Sequence, residues 1–168
     1  SKWTVLKIDK FEVHVLNLPY SNKVSFRKRV SIFLKFIVFS TIRAFKLRAD
    51  LVLATSTPLT IALPAMMLKR IRKIPYVFEV RDVWPEIPIA MGIIKGRLLI
   101  QILRRFERRS YLSAQHIVAL SSDMKLAITN SGEIPGCKVS VIPNISNLDR
   151  FGNFNEQRFL VKQLLGFV

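Results

Sequence analysis

The chain has very little with which to build the commoner reactive centres. One cysteine, Cys137, stands among 168 residues, so neither a disulfide framework nor a cysteine metal site can form. No HExxH, no Cys/His cluster and no GxSxG occurs, which removes the usual zinc and serine-hydrolase signatures. GxGxxG and Walker A runs are also absent, so no glycine-rich nucleotide cradle is encoded. The two histidines do not suggest catalysis: His14 alternates along one strand-like run and His116 opens another, and both read as structural. Acidic residues are scarce, with 11 Asp/Glu against 27 Lys/Arg and a net charge of +16.

That positive charge is unevenly placed. Residues 1–50 carry 11 basic against 3 acidic groups, residues 51–112 carry 11 against 4, and residues 113–168 only 5 against 4. A basic surface in the first two thirds calls for an anionic partner: nucleic acid, an anionic membrane or a phosphorylated substrate. Half of the residues are hydrophobic, which supports one domain with a real core and excludes disorder. The chain starts at Ser1 and shows no signal peptide, which suggests a natural start further upstream.

Two strands, Trp3 to Ile8 and Phe11 to Leu16, read as a hairpin turning at Asp9-Lys10, followed by a loop over Asn17 to Asn22. Residues 24–48 read as one long basic and apolar helix. Regular alternation follows: strand Leu51 to Ala54, helix Pro58 to Lys73, strand Tyr76 to Val80, helix Arg97 to Leu112. It continues with strand His116 to Leu120, helix Asp123 to Asn130 capped by Ser121 or Ser122, and strand Val139 to Ile142. Pro58 suits a first helical position, and Pro64 should kink its helix. The runs LVLA, YVFEV, HIVAL and VSVI are continuously apolar, as in a parallel sheet covered on both faces. The expected class is therefore α/β, a Rossmann-like parallel sheet with helices on both faces.

On a helical wheel, Phe26, Val30, Phe33, Ile37 and Ala44 share the arc that would pack inward. Lys28, Lys35 and Lys46 line up opposite, with Ile32, Phe39 and Ile42 beside them and Arg27 and Arg43 adding charge. Lysines interleaved with aliphatic groups suit a helix lying on an anionic membrane. Cover by another piece of protein is the alternative, and Lys35 and Arg43 argue against a membrane span. In the third helix Arg97, Arg104 and Arg108 share a face, Arg105 and Arg109 pair beside it, and Leu99, Ile102, Phe106 and the Ser110 region are the expected buried side.

Candidate chemistry gathers where strands end. Thr55-Ser56-Thr57-Pro58 joins a strand to a helix start, where hydroxyls and free N–H groups make a phosphate seat or a simple cap. Tyr76 to Val80 runs straight into Arg81, Asp82, Trp84 and Glu86, with Pro85 and Pro88 delaying the next helix. The alternative is an ordinary loop in which Arg81 and Asp82 pair.

The run DLVLATSTPLTIALPAMMLKRIRKIPYVFEVRDVWPE, then LIQILRRFERRSYLSAQHIVALS, then KVSVIPNISNLDRF, resembles glycosyltransferase family 4. The likeness extends from about residue 11 to about residue 151 and is nearest to the bacterial branch that builds O-antigen and capsule, including L-fucosamine transferases. It implies one half of a GT-B fold lacking its first β-α unit: an incomplete acceptor domain over 1–152, and a linker helix over 153–168 toward an absent nucleotide-sugar domain. It implies retaining transfer from a nucleotide-sugar to a polyprenyl-diphosphate-linked saccharide, with no cofactor or metal, on the cytoplasmic side of the bacterial plasma membrane. The chain alone would then be inactive.

By that likeness the family's His-Asp pair corresponds to Arg81-Asp82 here. Arginine cannot serve as a base at neutral pH, so that role would pass to Asp82, with Glu86 as a second carboxylate. Thr55, Ser56, Thr57, Arg81 and Trp84 would bind acceptor, while Glu79, Ser121 and Asn144 would face the cleft. The missing strand would leave a sheet edge open to homodimerisation. A nucleic-acid-binding module is the alternative from another class, though no recognised motif or exposed aromatic pair supports specific nucleic-acid recognition. A stand-alone membrane-docking module is a third reading.

Overall fold

The computed structural model describes residues 3–19, 25–56, 59–82, 84–92, 94–132 and 134–144. The helix expected over 155–166, the boundary at 152, Thr57 and Pro58 lie outside them, as do the side chains of Phe26, Arg27 and Val30. Strands β1 (Trp3–Ile8) and β2 (Phe11–Leu16) form an antiparallel hairpin. Asp9 takes a positive φ of 52° at the turn, a conformation that Asp tolerates better than most residues. Helix α1 (Phe26–Lys46) then leads to β3 (Val52–Thr55), α2 (Ala62–Arg72), β4 (Tyr76–Val80), α3 (Glu86–Ala90) and α4 (Arg97–Ser113). The described chain ends with β5 (His116–Ala119), α5 (Ser122–Gly132) and β6 (Val139–Val141).

Strands β3 to β6 make one four-stranded parallel sheet in chain order. The class and the parallel pairing are those the sequence indicates. Helix cover, however, is found on one face only among the described residues. Strands added in chain order through right-handed connections must carry their helices on the same side. Register shows which side. Ala54, Phe78, Ile117 and Val139 are aligned neighbours across the sheet, and all four are buried. They pack with Leu59, with Ala62 and Ala65 of α2, Tyr111 of α4 and Ile128 of α5. The next row, Thr55, Glu79, Val118 and Ser140, points the other way and is half-buried to exposed.

Three helices differ from expectation. The short α3 starts at Glu86, directly after Pro85 and with Pro88 in its first turn, where a proline's missing N–H costs no intrahelical bond, so the prolines do not delay a helix. A short 3₁₀ turn, Leu59–Ile61, precedes α2, so the helix begins at Ala62 and not near Pro58. Pro64 thus sits in the first turn, where its missing N–H costs no intrahelical bond and no kink is required. In α4 the inward stripe is Ile100, Leu103, Phe106, Glu107, Ser110 and Tyr111, while Leu99 and Ile102 are exposed. Phe106 and Ser110 lie on the buried side as expected; the stripe is rotated from the expected one because Glu107 and Tyr111 join it in place of Leu99 and Ile102.

Basic side chains close several helix ends. Lys138 donates to the Leu112 carbonyl at 2.7 Å and Lys69 to that of Ser113, both at the C-terminus of α4. Arg72 donates to the carbonyls of Phe45 and Leu47 at 3.1 and 2.6 Å, fastening α2 to the end of α1. Each such contact meets an orphan carbonyl and the negative end of a helix dipole. Within the core, the Tyr76 hydroxyl donates to the Ser110 carbonyl at 2.6 Å, and burial pushes its pKa up to about 12.

Glu107 is the buried charge to watch. Its carboxyl accepts from the Tyr111 hydroxyl at 2.9 Å, yet desolvation raises its pKa to about 7. A carboxyl that is harder to ionise folded than unfolded contributes stability at low pH that is lost as pH rises through the folded value. Glu107→Gln keeps the acceptor and removes the titration. Urea unfolding should show the variant more stable by about 1–3 kcal/mol at pH 8, and no more stable at about pH 4, below the unfolded value.

Candidate functional site

Four strand ends meet at one edge of the sheet because all four strands run the same way. A cavity of about 400 Å³ opens there, lined by Thr55, Ser56, Arg81, Asp82, Leu120 and Asn144. Thr55 ends β3 and Ser56 follows it, Arg81 and Asp82 follow β4, Leu120 follows β5, and Asn144 lies just past β6. This is where open α/β sheets bind ligands.

Ser56 stitches the first two strand ends together. Its N–H donates to the Glu79 carbonyl at 2.8 Å, and its buried hydroxyl accepts from the Arg81 N–H at 2.8 Å. The backbone of Arg81-Asp82 is thereby held against β3 while both side chains stay exposed at the rim. A turn follows, in which the Trp84 N–H donates to the Asp82 carbonyl at 3.0 Å. A guanidinium, a carboxylate, two hydroxyls and an amide around one opening suit a ligand that carries both phosphate and hydroxyl groups.

The sequence candidates therefore separate. Thr55, Ser56, Arg81, Asp82 and Asn144 come together at the cavity. Glu86 is held by Arg104 in a two-pronged pair, at 2.8 Å to Oε1 and 3.1 Å to Oε2. Trp84 packs half-buried against the core, and Pro85 beside it is fully buried. Glu79 lies in the row on the uncovered face, its carbonyl taken by Ser56. Ser121 caps α5, its hydroxyl accepting from the Met124 N–H at 3.2 Å. Leu120 was not singled out from sequence; its signal was its place as the residue after a strand whose neighbours end at the cavity. Among the described residues no group of three or more His, Cys, Asp or Glu could hold a metal ion.

On α1, Lys28, Lys35, Ile42 and Lys46 are exposed as the wheel indicates. Ile32 is buried, Phe39 half-buried, and Arg43 donates to His14 Nδ1 at 3.0 Å from Nε and lies over the Trp3 ring at 5.9 Å. Those three are turned from the outward face of α1, a helix that packs against α2 and the hairpin. Leu34 and Val38 replace them in the outward stripe. Among the described residues no helix is long and apolar enough to cross a membrane.

The fold and the site define the class: a Rossmann-like half-domain with a polar binding cavity at the carboxyl ends of its strands. The sequence matches the Glycosyl transferase 4-like domain over residues 3–145, most of the chain, and the protein belongs to that family of glycosyltransferases. No curated protein matches it.

The Ser56 stitch gives a direct test. Ser56→Ala removes the acceptor for the Arg81 N–H inside the packed strand end. Unfolding free energy should fall by about 1–2 kcal/mol, and hydrogen exchange at the Arg81 amide should quicken relative to that at Phe78.

Proposed function

We propose that this domain holds the acceptor in a retaining glycosyl transfer from a nucleotide-sugar to a polyprenyl-diphosphate-linked saccharide, in bacterial surface-polysaccharide synthesis. The reading is carried by the convergence of Thr55, Ser56, Arg81, Asp82 and Asn144 on one cavity. The nucleotide-sugar sits on a second α/β domain facing this edge. Arg81 and the hydroxyls of Thr55 and Ser56 bind acceptor phosphate, and Asn144 orients a sugar hydroxyl. Asp82 takes the proton from the attacking hydroxyl as the bond from the anomeric carbon to the acceptor oxygen forms. The bond from that carbon to the nucleotide diphosphate breaks on the same face of the sugar ring, so configuration is retained, and the diphosphate leaves with the electron pair.

Placement supports Asp82 over Glu86 as the base. Asp82 lines the cavity, whereas Glu86 neutralises Arg104. In the enzyme carrying its nucleotide-sugar domain, Asp82→Asn should lower turnover by at least about 10²-fold with acceptor affinity little changed. Full-rate turnover would remove Asp82 from the chemistry.

A lipid-linked acceptor requires the domain to work at a membrane surface. The outward stripe of α1, with Leu34, Val38 and Ile42 between Lys28, Lys35 and Lys46, supports peripheral binding to an anionic leaflet on the cytoplasmic side. Replacing the three lysines by Glu should weaken sedimentation with phosphatidylglycerol vesicles by at least about tenfold while leaving the melting temperature unchanged, since all three are exposed.

A further inference from the structure

The elbow between α3 and α4 exposes apolar groups. Gly92 and Gly96 adopt φ of 67° and 103°, conformations open to glycine and strained for residues with a Cβ. The Gly92 N–H donates to the Ile89 carbonyl at 2.9 Å and the Ile100 N–H to that of Gly96 at 3.1 Å. The Glu86–Arg104 pair braces the two helices across the turn.

Around this frame Met91 is 68% exposed, Leu98 72%, Leu99 47% and Ile102 55%. They are not a stripe left over from the core, because the inward side of α4 is complete without them. Lys95, Arg97 and Arg105 stand exposed among them, and no acidic residue occurs between Ala90 and Glu107. Large aliphatic groups beside unopposed cations match an anionic bilayer surface, where apolar groups enter the acyl boundary and cations meet headgroups. Position supports the same occupant. A helix that follows a parallel strand starts at the strand's carboxyl end, so the elbow lies at the edge of the sheet that carries the cavity.

We infer that the α3–α4 elbow is a second membrane contact, separate from α1, that inserts Met91, Leu98 and Ile102 into an anionic leaflet and brings the mouth of the Arg81–Asp82 cavity to headgroup level. This rests on the acceptor reading for its purpose, but its surface stands without that reading. It also accounts for apolar exposure that α1 leaves unexplained.

The test uses an environment-sensitive fluorophore on Leu98→Cys, with Cys137→Ser removing the exposed native thiol. A matching label on Val38→Cys reports α1. Mixed vesicles of phosphatidylglycerol and phosphatidylcholine should blue-shift the label at 98, and pure phosphatidylcholine should shift it far less. The double variant Leu98→Glu, Ile102→Glu should partition at least about tenfold more weakly with unchanged far-UV dichroism. A shift at 38 without one at 98 overturns the elbow while the α1 contact stands. Undiminished binding of the double variant overturns it too, as does a shift at 98 that duplex DNA reproduces in the absence of vesicles. Loss of transfer by Asp82→Asn bears on the cavity alone, so the two readings fail separately.

Discussion

The order of the strands governs the rest of this molecule. Because β3 to β6 are laid down in chain order, right-handed connections place every crossover helix on one face. The row Ala54, Phe78, Ile117 and Val139 then becomes the floor of the core, and the helices supply its roof. Parallel pairing brings all four carboxyl ends to one edge, so residues from four distant stretches of sequence line a single cavity. Site and core are two consequences of one constraint. The uncovered row through Thr55, Glu79, Val118 and Ser140 is the third.

The large positive charge looks different once its contacts are known. Lys69, Lys138 and Arg72 satisfy carbonyls at helix ends, Arg43 binds the hairpin histidine, and Arg104 binds Glu86. These cations serve the fold. What stays outward includes Lys28, Lys35 and Lys46 on α1 and Lys95, Arg97 and Arg105 at the elbow, in each case beside exposed aliphatic groups. That pairing supports the proposed lipid contact over a nucleic acid, for which aliphatic exposure has no use. The raw net charge could not make the distinction.

Glu107 shows how local sequence rules mislead. Glu107 lies in an arginine-rich helix, yet it is buried and bonded to Tyr111. One to two turns earlier, Leu99 and Ile102 read as core and are exposed. A wheel gives the relative angles of side chains but not the rotation of the whole helix. That rotation is settled by what the helix lies on, here Tyr76 and Phe78 of the sheet, which meet Ser110 and Tyr111.

From the sequence alone came the alternation of elements, the parallel α/β class and the strand ends at which chemistry gathers. Those depend on local periodicity and on where a strand must stop: YVFEV before RDVWPE, and LVLA before TSTP. The family resemblance was legible in the same stretches. Only the tertiary structure decided that Asp82 rather than Glu86 reaches the cavity, that Leu120 joins it, that Ile32 is covered, and that one face of the sheet holds the core. Each of these is a relation between residues far apart in the chain. Pairing, register and packing fix such relations, and no window of sequence contains them.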